Sequence, residues 1–189
     1  MPVTFTGFNR LHKERMKKYS FQNDILPLKN ELYRLALRIT LNKAEAEDVV
    51  QETMLRVWGK RASWDEIESM EAFCLTVCRN MALDKARKTS NRRSQSLDDE
   101  MKNDPPDSSQ SSDPERQAVM GDRFRLVKEL FNLLPEKQRS IIQLREVEGK
   151  SYKEIAAVVG VSEEQVKVYL FRARQTIKKK FLERENYGL

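Results

Sequence analysis

Residues 151–175, S-Y-K-E-I-A-A-V-V-G-V-S-E-E-Q-V-K-V-Y-L-F-R-A-R-Q, hold the densest set of side chains able to do chemistry. Ser151 with Glu154 has capping-box spacing, and so does Ser162 with Gln165. Each pair opens a helix, and Gly160-Val161 makes the turn between the two. The small Ala156 lets the helices approach closely, while Val166 and Leu170 lock the second against the first. This spacing predicts a helix-turn-helix whose second helix enters the major groove of DNA. Its exposed side offers Glu164, Gln165, Lys167, Val168, Phe171 and Arg172. Lys and Arg reach phosphates and guanine edges, and a glutamine amide pairs with adenine. Lys178-Lys179-Lys180 falls near the DNA backbone or in solvent. The competing reading is an ordinary helical hairpin with a charged face.

The elements that must position this motif are all helical. Asp113-Pro114 is an N-cap followed by proline at the first helical position. It predicts a helix to about Leu134 with Val127, Leu130, Phe131 and Leu134 inward. A short helix after Pro135 carries Ile141, Ile142 and Leu144 and stops at Gly149. Ile155, Ala156 and Val159 face inward from the next helix, and Val166, Leu170, Ala173 and Ile177 from the last, over about 163–182.

An earlier block has its own periodicity. Leu28, Leu32, Leu35 and Ile39 predict a helix over about 25–39. Asn42 caps a second, with Glu45 three residues later and Gly59 at its end. Ala46, Val49, Val50, Met54 and Val57 form its stripe, opposite Asp48, Gln51, Glu52 and Leu55. A loop with Trp64 leads to a third helix over about 70–88. There Phe73, Cys74, Val77, Cys78, Met81 and Ala82 face the core, and Arg79, Asn80, Leu83 and Arg87 lie elsewhere. Residues 90–113 hold Ser, Asp, Asn, Gln and paired prolines with only Leu97 and Met101 apolar, too little to offset ordering entropy. The fold class is all-α: two small helical domains joined by a flexible linker. The boundaries are a basic N-terminal extension at 1–23, a first domain at 24–89, an acidic Ser/Pro linker at 90–113 and a helix-turn-helix domain at 114–183.

Charge distribution says more than the net charge of +6. Residues 167–184 hold seven Lys/Arg and one Glu, and residues 79–93 hold six Lys/Arg and one Asp. Residues 44–55 hold three Glu and one Asp with no basic residue. Two basic patches and one acidic patch fit two kinds of partner. Cys74 and Cys78 read as buried thiols, and His12 is too distant to complete a metal site. No apolar run spans a bilayer or makes a signal peptide, so stable membrane insertion is not expected and the cytoplasm is. G-x-x-x-x-G-K-[ST] and G-x-G-x-x-G are both absent, and no nucleophile–base or ligand set accompanies the carboxylates. No cofactor, metal or catalytic residue is expected, and no enzymatic activity.

The chain resembles the extracytoplasmic-function group of the sigma-70 family of RNA polymerase sigma factors over about residues 25–182. Three segments carry the resemblance: D-V-V-Q-E-T-M-L-R-V-W at 48–58, A-F-C-L-T-V-C-R-N-M-A-L-D-K-A-R at 72–87, and L-P-E-K-Q-R-S-I-I-Q-L-R-E-V-E-G-K-S-Y-K-E-I-A at 134–156. The resemblance implies that the two domains correspond to sigma regions 2 and 4. It implies binding to core RNA polymerase through Asp48, Gln51, Glu52 and Arg56. Contact with the promoter −10 element falls to Trp64, Arg79, Asn80, Lys85, Arg87 and Lys88, with Trp64 stacking on a flipped base and Asn80 reading its edge. Contact with the −35 element falls to Arg145, Tyr152, Lys153, Gln165, Lys167, Val168, Phe171 and Arg172. Val168-Tyr169 departs from the serine and arginine frequent there, leaving Val168 apolar contact such as a thymine methyl. An anti-sigma factor is a further partner that the resemblance implies. The alternative function is a DNA-binding regulator that acts without polymerase.

Overall fold

The computed structural model describes residues 19–95 and 129–186. The expected extension over 1–18, the linker from 96 to 113 and the helix start at Asp113-Pro114 lie outside the described residues. Among the described residues every regular element is helical.

Pro27 has no amide N–H for an α-helical ladder, so the chain enters through irregular turns. A π-type turn, Phe21–Ile25, and a 3-10 turn, Leu26–Leu28, precede α1, Lys29–Thr40. The helix therefore starts later than the spacing from residue 25 predicts. α2, Lys43–Gly59, begins as expected: Asn42 Oδ1 accepts from Glu45 N–H at 3.0 Å. A 3-10 turn, Arg61–Glu66, leads to α3, Met70–Gln95. α3 runs past 88 into the stretch read as linker. α1, α2 and α3 pack against one another around Leu32, Leu35, Val49, Val57, Cys74 and Cys78.

Two positions on these helices differ from the apolar pattern. Thr53 is fully buried and Met54, expected inward, is half-buried. The Thr53 hydroxyl donates to Val49 O at 2.7 Å, which removes the cost of burying it. Arg79, expected on an outer side of α3, is only 5% exposed.

Residues 129–132 are helical and lead through Pro135 to α4, Glu136–Ile142, a π-type turn, Gln143–Val147, α5, Tyr152–Val159, and α6, Glu163–Asn186. α4 and α5 pack on α6 around Ile141, Leu144, Ile155, Val166 and Leu170. The two units also pack on each other: α5 lies on α3, and α4 on α1. That second cover is why Arg79 is buried.

Polar side chains line the junction. Arg34 donates to Glu148 through Nε at 2.9 Å and Nη2 at 2.5 Å. Gln143 is 1% exposed; its amide donates to Glu148 at 2.9 Å and accepts from Arg38 at 3.3 Å. The Arg38 guanidinium lies 4.8 Å from the centre of the Phe131 ring. Lys150 Nζ sits 3.0 Å from Glu31 and 2.5 Å from Glu71. Arg79 donates to both Glu136 oxygens at 2.9 Å, and the Ser140 hydroxyl donates to Oε1 at 2.7 Å. Burial pushes the Glu148 carboxyl up, but hydrogen bonds from Arg34 and Gln143 outweigh it and hold the group below its usual range. Burial likewise opposes the charge on Lys150, and Glu71 and Glu31 overcome it, leaving its ammonium more basic than usual. Glu31 goes the other way, because desolvation there exceeds the help from Lys150.

Cys74 and Cys78 are fully buried, and burial pushes both thiols up to about 12. The Cys78 thiol donates to Leu32 O at 3.4 Å.

Leu41 closes α1 at φ +58°, the only non-glycine residue with positive φ among the described residues. Its side chain is 47% exposed, so it is little compensated for a conformation that costs about 1 kcal/mol outside glycine. Leu41→Gly is expected to raise the midpoint of a thermal melt by a few degrees; an unchanged or lower midpoint would refute the strain.

Candidate DNA and polymerase surfaces

The helix-turn-helix is built as its sequence dictates. Ser151 Oγ accepts from Glu154 N–H at 3.3 Å, and the Glu154 carboxylate accepts from Ser151 N–H at 2.8 Å. Ser162 Oγ accepts from Gln165 N–H at 3.2 Å, and Gln165 Oε1 accepts from Ser162 N–H at 3.0 Å. Gly160 ends α5 at φ +72°, a left-handed cap that glycine supplies without strain. Val166, Leu170 and Ala173 face the core, which turns the other side of α6 outward. Gln165, Lys167, Val168, Phe171 and Arg172 all lie on that exposed side, with Phe171 62% exposed. Gln165 spends its carbonyl on the cap, which leaves its amide N–H groups on the exposed side. Lys153 is exposed at the start of α5. Arg145 donates to Lys150 O at 2.7 Å and stacks 4.9 Å over Tyr152, so these two half-buried residues brace the turn that presents α5.

Of the six residues expected at a melted strand, α3 brings Asn80, Arg87 and Lys88 to the surface. Lys85 is half-buried and pairs with Asp48 at 3.1 Å. Trp64 does not offer a stacking face: it is 3% exposed, and its indole N–H donates to Val57 O at 3.1 Å. An indole that caps a small core gains more from burial than from solvent. Arg79 is likewise occupied, by Glu136.

On α2, Asp48, Gln51, Glu52 and Arg56 are exposed as expected. What the acidic pattern concealed is an apolar groove beside them, about 600 Å³, lined by Phe21, Leu26, Met54, Leu55 and Trp58 with Gln51 and Lys29 at its edge. Leu55 is 71% exposed and Trp58 47%. Trp58 is held edge-on by Phe21 at 5.4 Å and Trp64 at 6.0 Å, so its position is fixed in advance. The signal for it was two large apolar residues three apart, Leu55 and Trp58, on a face otherwise polar. Among the described residues no cluster of His, Cys, Asp and Glu could hold a metal, and no helix is long and apolar enough to cross a membrane.

Comparison with known proteins joins these surfaces. Residues 25–92 match the sigma-70 region 2 family and residues 124–177 match sigma-70 region 4. The chain is 33% identical over 148 residues to the ECF RNA polymerase sigma factor SigL of Mycobacterium tuberculosis, covering 78% of this chain and 80% of SigL. It is 28% identical to SigM of Bacillus subtilis, covering 79% and 87%. RfaY of Xanthomonas campestris, named as a probable RNA polymerase sigma factor, is 31% identical over 82% of this chain, which spans only 38% of RfaY. Among solved structures, the sigma factor RpoE of Bartonella quintana, determined with the anti-sigma factor NepR, superposes with a TM-score of 0.69 at 24% identity, over 85% of this chain and 96% of RpoE. CnrH, determined with the cytosolic domain of CnrY, gives 0.57 at 20% identity, over 84% and 85%. Both show the same fold.

Removing the second cap tests how far it fixes α6. Ser162→Ala is expected to lower stability in chemical denaturation by about 1 kcal/mol, and a loss below a few tenths would mean that the cap is idle.

Proposed function

This chain belongs to the extracytoplasmic-function group of the sigma-70 family, and from that membership we propose that it directs core RNA polymerase to promoters and starts transcription there. The observation that carries the reading is a pair of surfaces on one chain: the base-reading side of α6 and the apolar groove on α2. A sigma factor is an initiation factor, so the chemistry of RNA synthesis belongs to the polymerase, and this chain contributes recognition rather than catalysis. Its place of work is the cytoplasm, where polymerase and DNA meet.

Polymerase docking falls to Asp48, Gln51, Glu52 and Arg56, with Leu55 and Trp58 supplying the buried apolar centre. A partner helix with an apolar ridge and basic flanks fits a groove of this kind beside acidic residues. Promoter contact at −35 falls to Lys153, Gln165, Lys167, Val168, Phe171 and Arg172, with Arg145 and Tyr152 holding the turn. Phe171 and Val168 suit thymine methyls, and Lys167 and Arg172 suit phosphates or guanine. At −10, Asn80, Arg87 and Lys88 meet the separated strand, with Lys85 available once it leaves Asp48. Residues 96–128 join α3 to the C-terminal unit. RpoE was captured with an anti-sigma factor, and we extend the same kind of restraint to this chain.

Run-off transcription with core polymerase over a pool of promoters tests the reading. Wild-type chain is expected to confer specific starts, and Leu55→Ala with Trp58→Ala to lose them while still binding a −35 duplex. Specific duplex binding by the chain alone, with no initiation on any template, would identify a regulator that acts without polymerase.

Phosphate contacts are expected to carry a salt dependence. Lys167→Ala should weaken holoenzyme binding to all −35 sequences and shallow the slope of log affinity against log salt by about 1. Phe171→Ala should change sequence preference and leave that slope alone. Identical slopes for wild type and Lys167→Ala would remove Lys167 from the backbone contacts.

A further inference from the structure

We propose that the segment leading into α1, residues 19–28, forms half of the polymerase-docking surface: Phe21 sets the Trp58 indole, and Phe21 with Leu26 makes the wall that faces α2 across a cleft for the apolar ridge of one polymerase helix. The inference deepens the sigma-factor reading above and rests on it.

The groove has two sides of different origin. Val50, Met54, Leu55 and Trp58 come from α2, and Phe21 and Leu26 from the lead-in turns. The match to sigma-70 region 2 begins at residue 25, so Phe21 stands ahead of it. Leu26 is 46% exposed, and with Leu55 and Trp58 it leaves three large apolar side chains in water around one concavity. Single exposed apolar residues are ordinary, whereas a contiguous set around a cleft marks a place where another molecule sits. The lead-in turns are also tied down. Ile25 is fully buried in the core. The Tyr19 hydroxyl donates to Glu68 O at 2.8 Å, and Ser20 N–H donates to Asp24 Oδ2 at 2.6 Å. The wall therefore stands before anything docks, which spares a partner the cost of ordering it.

Trp58 joins the two sides. Phe21 meets its ring edge-on from the lead-in turn, Trp64 meets it from the turn after α2, and the Arg61 guanidinium lies 5.0 Å from its centre. Buried Trp64 thus backs the indole that faces the groove. The surroundings select the occupant. Asp48 and Glu52 stand exposed on the same helix, which disfavours a nucleic-acid strand and suits a protein helix with basic flanks. A second copy docked symmetrically would oppose groove to groove, with no ridge to fill either. A single helix laid along the cleft meets apolar surface on both sides, from α2 and from the lead-in turns.

Binding of the full chain to core polymerase tests this. Leu26→Ser removes wall surface and leaves every ring in place, and Phe21→Ala removes both wall and support for Trp58. Each is expected to raise the dissociation constant for core polymerase by about tenfold, while Phe21→Tyr stays close to wild type. Phe21→Ala combined with Trp58→Ala should cost less than the product of the two single losses, because Phe21 acts in part through that indole. A merely structural role for Phe21 gives the full product and overturns the positioning. Melting midpoints certify that each variant is folded; where Phe21→Ala is not, Leu26→Ser decides alone. Wild-type affinity in Leu26→Ser and Phe21→Ala, with Leu55→Ala and Trp58→Ala still weakened, would overturn the wall and leave α2 its docking role. Loss of self-association in Leu26→Ser at unchanged polymerase affinity would give the groove to a second copy and overturn the proposal as well. Failure of wild-type chain to bind polymerase at all would instead overturn the sigma-factor reading, and this inference with it.

Discussion

A charge taken out of water must find its opposite, and in this chain that requirement governs how the two helical units meet. Three clusters satisfy it: buried Glu148 with the half-exposed Arg34, Lys150 between Glu31 and Glu71, and Arg79 with Glu136. Stripping one member of a well-buried pair costs about 3–5 kcal/mol, because its partner is left desolvated and alone. An apolar junction of the same size would be more tolerant of sliding. The ionic one is exacting in register.

The two proposed contact surfaces sit away from this junction. α6 turns the side with Gln165, Val168 and Phe171 outward because Val166, Leu170 and Ala173 anchor the other. The groove on α2 lies beside Phe21 and Leu26, in the segment where Pro27 prevents a regular helix. Irregular backbone there creates concavity that a straight helix would fill. The two surfaces are thus shaped by different devices, caps and a glycine turn for one, a proline-delayed helix start for the other.

Local rules of sequence carried much of this. Both capping boxes, the Asn42 cap and the Gly160 turn depend on residues within four positions of each other, and each formed as its spacing dictates. Periodicity found the inner stripes of α1, α2 and α6 except at Thr53, whose hydroxyl is satisfied within its own helix and so leaves no apolar trace. What periodicity misread was long-range. Arg79 looks like a charge on an outer side of α3, and only the opposite unit, more than 50 residues away, buries it. Trp64 looked like a loop aromatic free to stack, but a neighbouring carbonyl at Val57 and the ring of Trp58 draw it inward. Leu55 and Trp58 were visible as apolar residues on a polar face, and the groove they share with Phe21 became apparent only when the entry segment folded over α2.

The two thiols on α3 have a consequence for what kind of signal this molecule can receive. Sealed against the backbone of α1 and held protonated far above neutral pH, they present no thiolate to peroxide or disulfide. An oxidant would have to open this helical unit before it met either thiol, so their reactivity is a report on whether the core of the N-terminal unit is shut.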